Sequence, residues 1–151
     1  MSDPTKNNNS TSYSWNSCGK TDVGKTRKHN EDSMLLRPEV GMWVVADGMG
    51  GHDAGDVASK MVVDSLEQIK KGASLEKYIE DIEKTLINVN AKLIEIAKQG
   101  EKQTTVGSTV VVMLAYEKFC VFLWAGDSRL YRIRKNKLIQ LTTDHSQVQQ
   151  Y

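Results

Sequence analysis

The 151-residue chain is predicted to be an α+β protein, with two antiparallel helices packed on a sheet. Three observations lead there: short apolar strand candidates up to Ala46, helical periodicity from Ala58 to about Gly100, and four strand candidates in series after Gly107. The early strands are "SYSWNSC" (12–18), with weak alternation, "SMLLR" (33–37), stopped by Pro38, and "GMWVVA" (41–46). Ala58, Met61, Val62, Leu66 and Ile69 then mark one face of an amphipathic helix, which Gly72 should end. Ser74 can N-cap a second, longer helix, although Lys77 stands where a capping box prefers Glu. Leu75, Tyr78, Ile79, Ile82, Leu86, Val89, Leu93 and Ile96 form its apolar face.

From Gly107 the pattern returns to β. "STVVVMLAY" (108–116), "FCVFLWAG" (119–126), "RLYRIR" (129–134) and "KLIQL" (137–141) read as a β-meander. Glu117-Lys118, Gly126-Asp127-Ser128 and Lys135-Asn136 are short enough for hairpins. The first two strands are almost wholly apolar and should bury both faces, whereas the last two alternate and should be half exposed.

Composition excludes several classes of function. Hydrophobic residues make up 39% and charged residues 26%, and the net charge is +1, so no bulk charge points to nucleic acid or membrane. No apolar run approaches the roughly 20 residues of a membrane span. Residues 1–12 read as a disordered leader without the apolar centre of a secretion signal, which makes the cytoplasm the expected compartment. Cys18 and Cys120 have no CxxC spacing and are expected to be buried free thiols. The chain ends in "DHSQVQQY", a helix cap (Asp144 or Ser146) with one turn behind it. Residues 13–151 are therefore expected to be a domain incomplete at its C-terminus, a fragment or one part of a split protein.

Residues 19–26, "GKTDVGKT", match the phosphate-loop pattern G-x-x-x-x-G-K-[ST] literally. Such a loop needs a hydrophobic strand before it and a helix after it. "SYSWNS" is a poor central strand and "RKHNED" offers no apolar helix face, so nucleotide binding is the weaker reading.

The acids are more telling. "WVVADGMGGHDAG" (43–55) runs from a buried strand straight into Asp47 and four glycines, which suits backbone brought close to a ligand. Glu31 and Asp32 adjoin the start of another strand, and Asp127 follows a third in "LWAGDSR". Carboxylates and a glycine carbonyl such as Gly48's suit hard divalent cations like Mg²⁺ and Mn²⁺, and the fork of Arg27 suits a phosphate.

In order, "GKTRKHNEDS", "VVADGMGGHDAGDVAS", "GSTVVV" and "WAGDSRLYRIRKNKLIQLTTDHS" resemble the motifs of the metal-dependent protein serine/threonine phosphatases, the PPM or protein phosphatase 2C family in its bacterial form. The resemblance runs from about Gly19 to the last residue. It implies a β-sandwich flanked by antiparallel helix pairs, with two, or with a third site three, Mn²⁺ or Mg²⁺ ions between the sheets. It also implies that phosphoserine and phosphothreonine in proteins are hydrolysed by metal-activated water. By position Asp47 would bridge the metals, the Gly48 carbonyl would bind one, and Glu31 would hold metal-bound water. Asp32 would orient a water or ligand, Arg27 would bind the substrate phosphate, and Asp127 would help hold a third ion.

Two departures accompany it. Met49 stands where animal members carry a His proposed as general acid, and two further metal-binding aspartates of the family lie beyond the end of this chain. The implied partners are phosphorylated proteins, with self-association or a partner fragment at the sheet left exposed. The alternative is a phosphatase-like binding or regulatory module without activity.

Overall fold

Pro38 ends the first apolar run and the chain reverses at once, pairing β1 (Asp32–Arg37) with β2 (Met42–Met49) in antiparallel register. The computed structural model describes residues 13–25, 29–50, 54–99 and 105–145. In the β1–β2 turn the Val40 amide donates to the Arg37 carbonyl and the Gly41 amide to that of Pro38. Gly41 has φ +70°, and a Cβ there would overlap the Ala115 carbonyl oxygen, so only glycine fits.

The helical periodicity becomes α1 (Ala54–Glu67) and α2 (Leu75–Gln99). α1 stops five residues before the expected Gly72. The Arg37 guanidinium from β1 explains the early end, because its Nη1 donates to the Glu67 and Ile69 carbonyls at 2.7 Å each. Ser74 caps α2 as expected, its Oγ accepting from the Lys77 amide at 3.2 Å.

Beyond α2 the expected strand 108–116 divides at Thr109 into β3 (Gly107–Ser108) and β4 (Val110–Tyr116), followed by β5 (Phe119–Ala125). The sheet order is β1-β2-β4-β5, with β3 paired to the end of β2. Alternation along the strands gives the sheet two faces. Met42, Val44, Ala46, Val110, Val112 and Leu114 form the core with Ala58, Val62, Leu66, Ile82 and Leu93 of the helices. Tyr78 is wholly buried among them, its hydroxyl donating to the Val40 carbonyl, and burial pushes its phenol up to about 12.

Four expectations are corrected. Residues 13–18 form no strand; Trp15 instead packs edge-on against Trp43, with centroids 5.2 Å apart. β5 lies at the sheet edge, so Phe119 and Cys120 are exposed and the strand is not buried on both faces. Cys18 and Cys120 are free as expected, but exposed. The meander stops at β5, where Gly126 turns the chain with φ +99°. β6 (Tyr131–Arg134) and β7 (Lys137–Gln140) form a separate two-stranded ribbon, exposed at every position, over a two-residue turn at Lys135 (φ +50°) and Asn136 (φ +58°). The Arg129 guanidinium clasps the base of the ribbon to Asp144, with Nη2 and Oδ2 2.5 Å apart. That hydrogen bond holds the Asp144 carboxyl below its usual range and raises the guanidinium. The leader, residues 1–12, lies outside the described residues. No helix among the described residues is long and apolar enough to cross a membrane.

Candidate metal site and family relationship

The β1–β2 register makes Asp32 and Asp47 direct cross-strand partners, on the sheet face turned away from the helices. Directly opposed residues of an antiparallel pair hold their Cβ atoms about 4.5–5.5 Å apart, and like charges there destabilise the sheet. A cation between two carboxylates so placed would offset that repulsion. Both line a cleft of about 460 Å³, together with Thr21, Lys20, Cys18 and Ser128.

Thr109, where β3 and β4 part, fixes the Asp47 backbone. Its Oγ1 accepts from the Asp47 amide at 3.0 Å, and its own amide donates to the Asp47 carbonyl at 2.8 Å. Ser108 Oγ donates to the same carbonyl at 3.2 Å. Thr109 Oγ1 also shares a 2.7 Å hydrogen bond with Ser128 Oγ, which ties the bend after β5 to the acid strand. Sequence reading gave Thr109 and Ser128 no role. The available signal was the polar Ser-Thr pair heading an otherwise apolar strand.

Glu31 stands on the other side of the ladder. Its carbonyl accepts from the Gly48 amide at 2.9 Å, and its carboxylate lies against Gly55 in the first turn of α1. A helix N-terminus favours such a charge. A Cβ on Gly48 would overlap the Gly55 carbonyl, and one on Gly55 would reach Glu31 Oε1 at 2.5 Å. These two glycines therefore let the end of β2, the Glu31 segment and α1 meet at backbone contact. Gly48 itself is buried. Asp127 is exposed in the bend next to Ser128, beside the cleft and not among its lining residues. Arg27 lies outside the described residues, as do His52 and Asp53.

The structure thus brings Asp32 and Asp47 together, sets Glu31 behind them and leaves Asp127 at the margin. No group of three or more His, Cys, Asp or Glu side chains able to hold a metal occurs among the described residues. The two opposed carboxylates offer hard oxygen donors in an open cleft, which fits a divalent Mn²⁺ or Mg²⁺ sharing its coordination with other groups. Among the described residues a phosphate loop has no support: residues 13–18 form no strand before "GKTDVGKT", and residues 29–31 lead into β1 without a helix. Its first residues wall the cleft, and Thr21 Oγ1 accepts from the Asn30 side-chain amide at 2.5 Å.

An antiparallel sheet with two helices on one face and paired carboxylates on the other defines an α+β domain with a candidate metal-binding face. The chain belongs to the protein phosphatase 2C family, whose model matches residues 23–150. It is 38% identical over 136 residues to the serine/threonine phosphatase Stp of Listeria monocytogenes, covering 85% of this chain and 54% of that protein. Among solved structures it resembles PppA, a key regulatory component of T6SS in Pseudomonas aeruginosa, with TM-score 0.81 and 45% identity over 85% of this chain and 56% of that one. It also resembles the catalytic domain of the serine/threonine protein phosphatase PstP in complex with two manganese ions, with TM-score 0.75 and 30% identity over 87% and 56% of the respective chains. The chain spans about half the length of the curated relatives it matches.

Proposed function

We propose that this chain carries the Asp32/Asp47 side of a divalent-metal centre that hydrolyses phosphoserine and phosphothreonine in proteins. The observation that carries the reading is the direct cross-strand opposition of Asp32 and Asp47 at the cleft. Bound Mn²⁺ or Mg²⁺ would supply Lewis acidity and lower the pKa of the water that attacks phosphorus. Asp47 and the Gly48 carbonyl would hold the ions, Asp32 would orient a ligand or water from the facing strand, and Asp127 would serve a third position. Glu31, anchored against α1, would position water, and Arg27 would grip the phosphate oxygens with its planar fork. Thr109 and Ser108 would keep Asp47 in place through its backbone. The manganese-bound PstP domain supports the choice of ion.

A second reading also has an observation behind it. Two carboxylates alone give an ion few ligands, and the face that carries them exposes Val45 at 50% and Leu36 at 38%. That open face and the unpaired edge of β5 would take up a further polypeptide portion or a second copy of the chain, which would complete the ligand set. Without such completion the chain would act as a phosphatase-like binding module.

Mn²⁺-dependent hydrolysis of p-nitrophenyl phosphate by the chain, with Asp47→Asn as control, separates the two. Turnover that disappears in the variant supports a centre assembled by this chain. A folded chain without turnover supports the binding module.

A further inference from the structure

The β6–β7 ribbon carries a pattern that the metal site does not use. Between Arg129 and Lys137 the sequence holds five cations and no carboxylate: Arg129, Arg132, Arg134, Lys135 and Lys137. Arg129 is committed to Asp144, but no ion pair engages the other four among the described residues. The register sorts the ribbon into two faces. Arg132 opposite Ile139 and Arg134 opposite Lys137 share one, while Tyr131, Ile133, Leu138 and Gln140 share the other. A covering layer would bury the apolar face, which leaves the cationic face turned to solvent.

Spacing and position both suggest what that face meets. Arg132 and Arg134 are alternate residues of one strand, roughly 6.6 Å apart, which is also the repeat of alternate side chains in an extended peptide. Acidic residues at every second position of a peptide lying along the ribbon would therefore meet successive guanidinium groups, which suit carboxylate and phosphate oxygens. The ribbon begins three residues after Ser128, which lines the Asp32/Asp47 cleft. It is only about 13 Å long, so an extended segment of roughly eight residues could span both.

We propose that the Arg132–Arg134–Lys137 face docks an acidic segment of a protein substrate, with Asp, Glu or phosphorylated residues at alternate positions. Its link to the cleft rests on the phosphatase reading; the docking itself does not. The ribbon would then set substrate preference by charge outside the reacting centre.

The test is fluorescence anisotropy with the full chain and a labelled, unphosphorylated eight-residue peptide bearing Glu at alternate positions, against the same peptide with Gln. The Glu peptide should bind, the Gln peptide should not, and the triple variant Arg132→Gln/Arg134→Gln/Lys137→Gln should weaken binding roughly tenfold. A control with the same charge change elsewhere, Lys60→Gln/Lys70→Gln/Lys92→Gln, should leave it within about twofold. Equal weakening in both triple variants, or no binding of the Glu peptide, would overturn the proposal. Ribbon-dependent binding to phosphatidylserine vesicles without peptide binding would reassign the face to a membrane surface. Peptide binding that persists where Mn²⁺-dependent p-nitrophenyl phosphate turnover is absent would sink the phosphatase reading and leave the docking surface standing.

Discussion

Asp32 and Asp47 are adjacent in space because β1 and β2 pair in one particular register, and a one-residue slip would turn one of them to the helix face. Their opposition predicts a metal-dependent difference between the chain and a variant at Asp32. Without metal, Asp32→Asn removes one carboxylate of the opposed pair and should leave stability within about 1 kcal/mol of the original chain. With Mn²⁺ present, the original chain should gain stability through binding and the variant should gain less. Thermal melts of both proteins with and without Mn²⁺ check this; an equal Mn²⁺-induced rise in the two would contradict it. Asp47 at the mouth of an apolar strand was legible from sequence, because burial and the sudden acid are local signals. Its partner in the ladder was not, since pairing register depends on the whole hairpin. Thr109 was also hidden, because its value lies in reaching backbone 62 residues away.

At the scale of elements, both helices and the strands β1, β2 and β4 follow the periodicities read from the chain, and several corrections fall where a distant residue decides. Arg37 ends α1 early by taking carbonyls 30 and 32 residues away. Arg37→Ala should therefore cost about 2 kcal/mol, since each lost bond comes from a charged donor, with urea denaturation as the readout. An unchanged midpoint would remove Arg37 as the cap. The β6–β7 ribbon depends on a second long-range contact, Arg129 with Asp144. Asp144 has a lowered pKa in the fold, so its contribution is complete above the ordinary carboxylate pKa and is lost as pH falls through the lowered value. Amide exchange in the ribbon, corrected for intrinsic rates, should accelerate selectively in acid, below about pH 4. Arg129→Ala should show the faster exchange already at neutral pH.

For the whole molecule, the sequence made the α+β class and the family resemblance legible, because four motifs recur in order along the chain. The separation of β6–β7 from the main sheet was not legible, since alternation does not say which sheet a strand joins. The same open face that displays the acids leaves apolar side chains in solvent, and the chain should associate as concentration rises. Sedimentation at increasing concentration reads this, and a strictly monomeric chain would count against pairing through that face. The account turns on divalent metal bound at the Asp32/Asp47 cleft, with Asp47 as its ligand. Calorimetric titration of the chain with Mn²⁺, repeated on Asp47→Asn, measures that most directly. Saturable binding that disappears in the variant is the predicted result. Binding of equal affinity in both, or none in either, would contradict it.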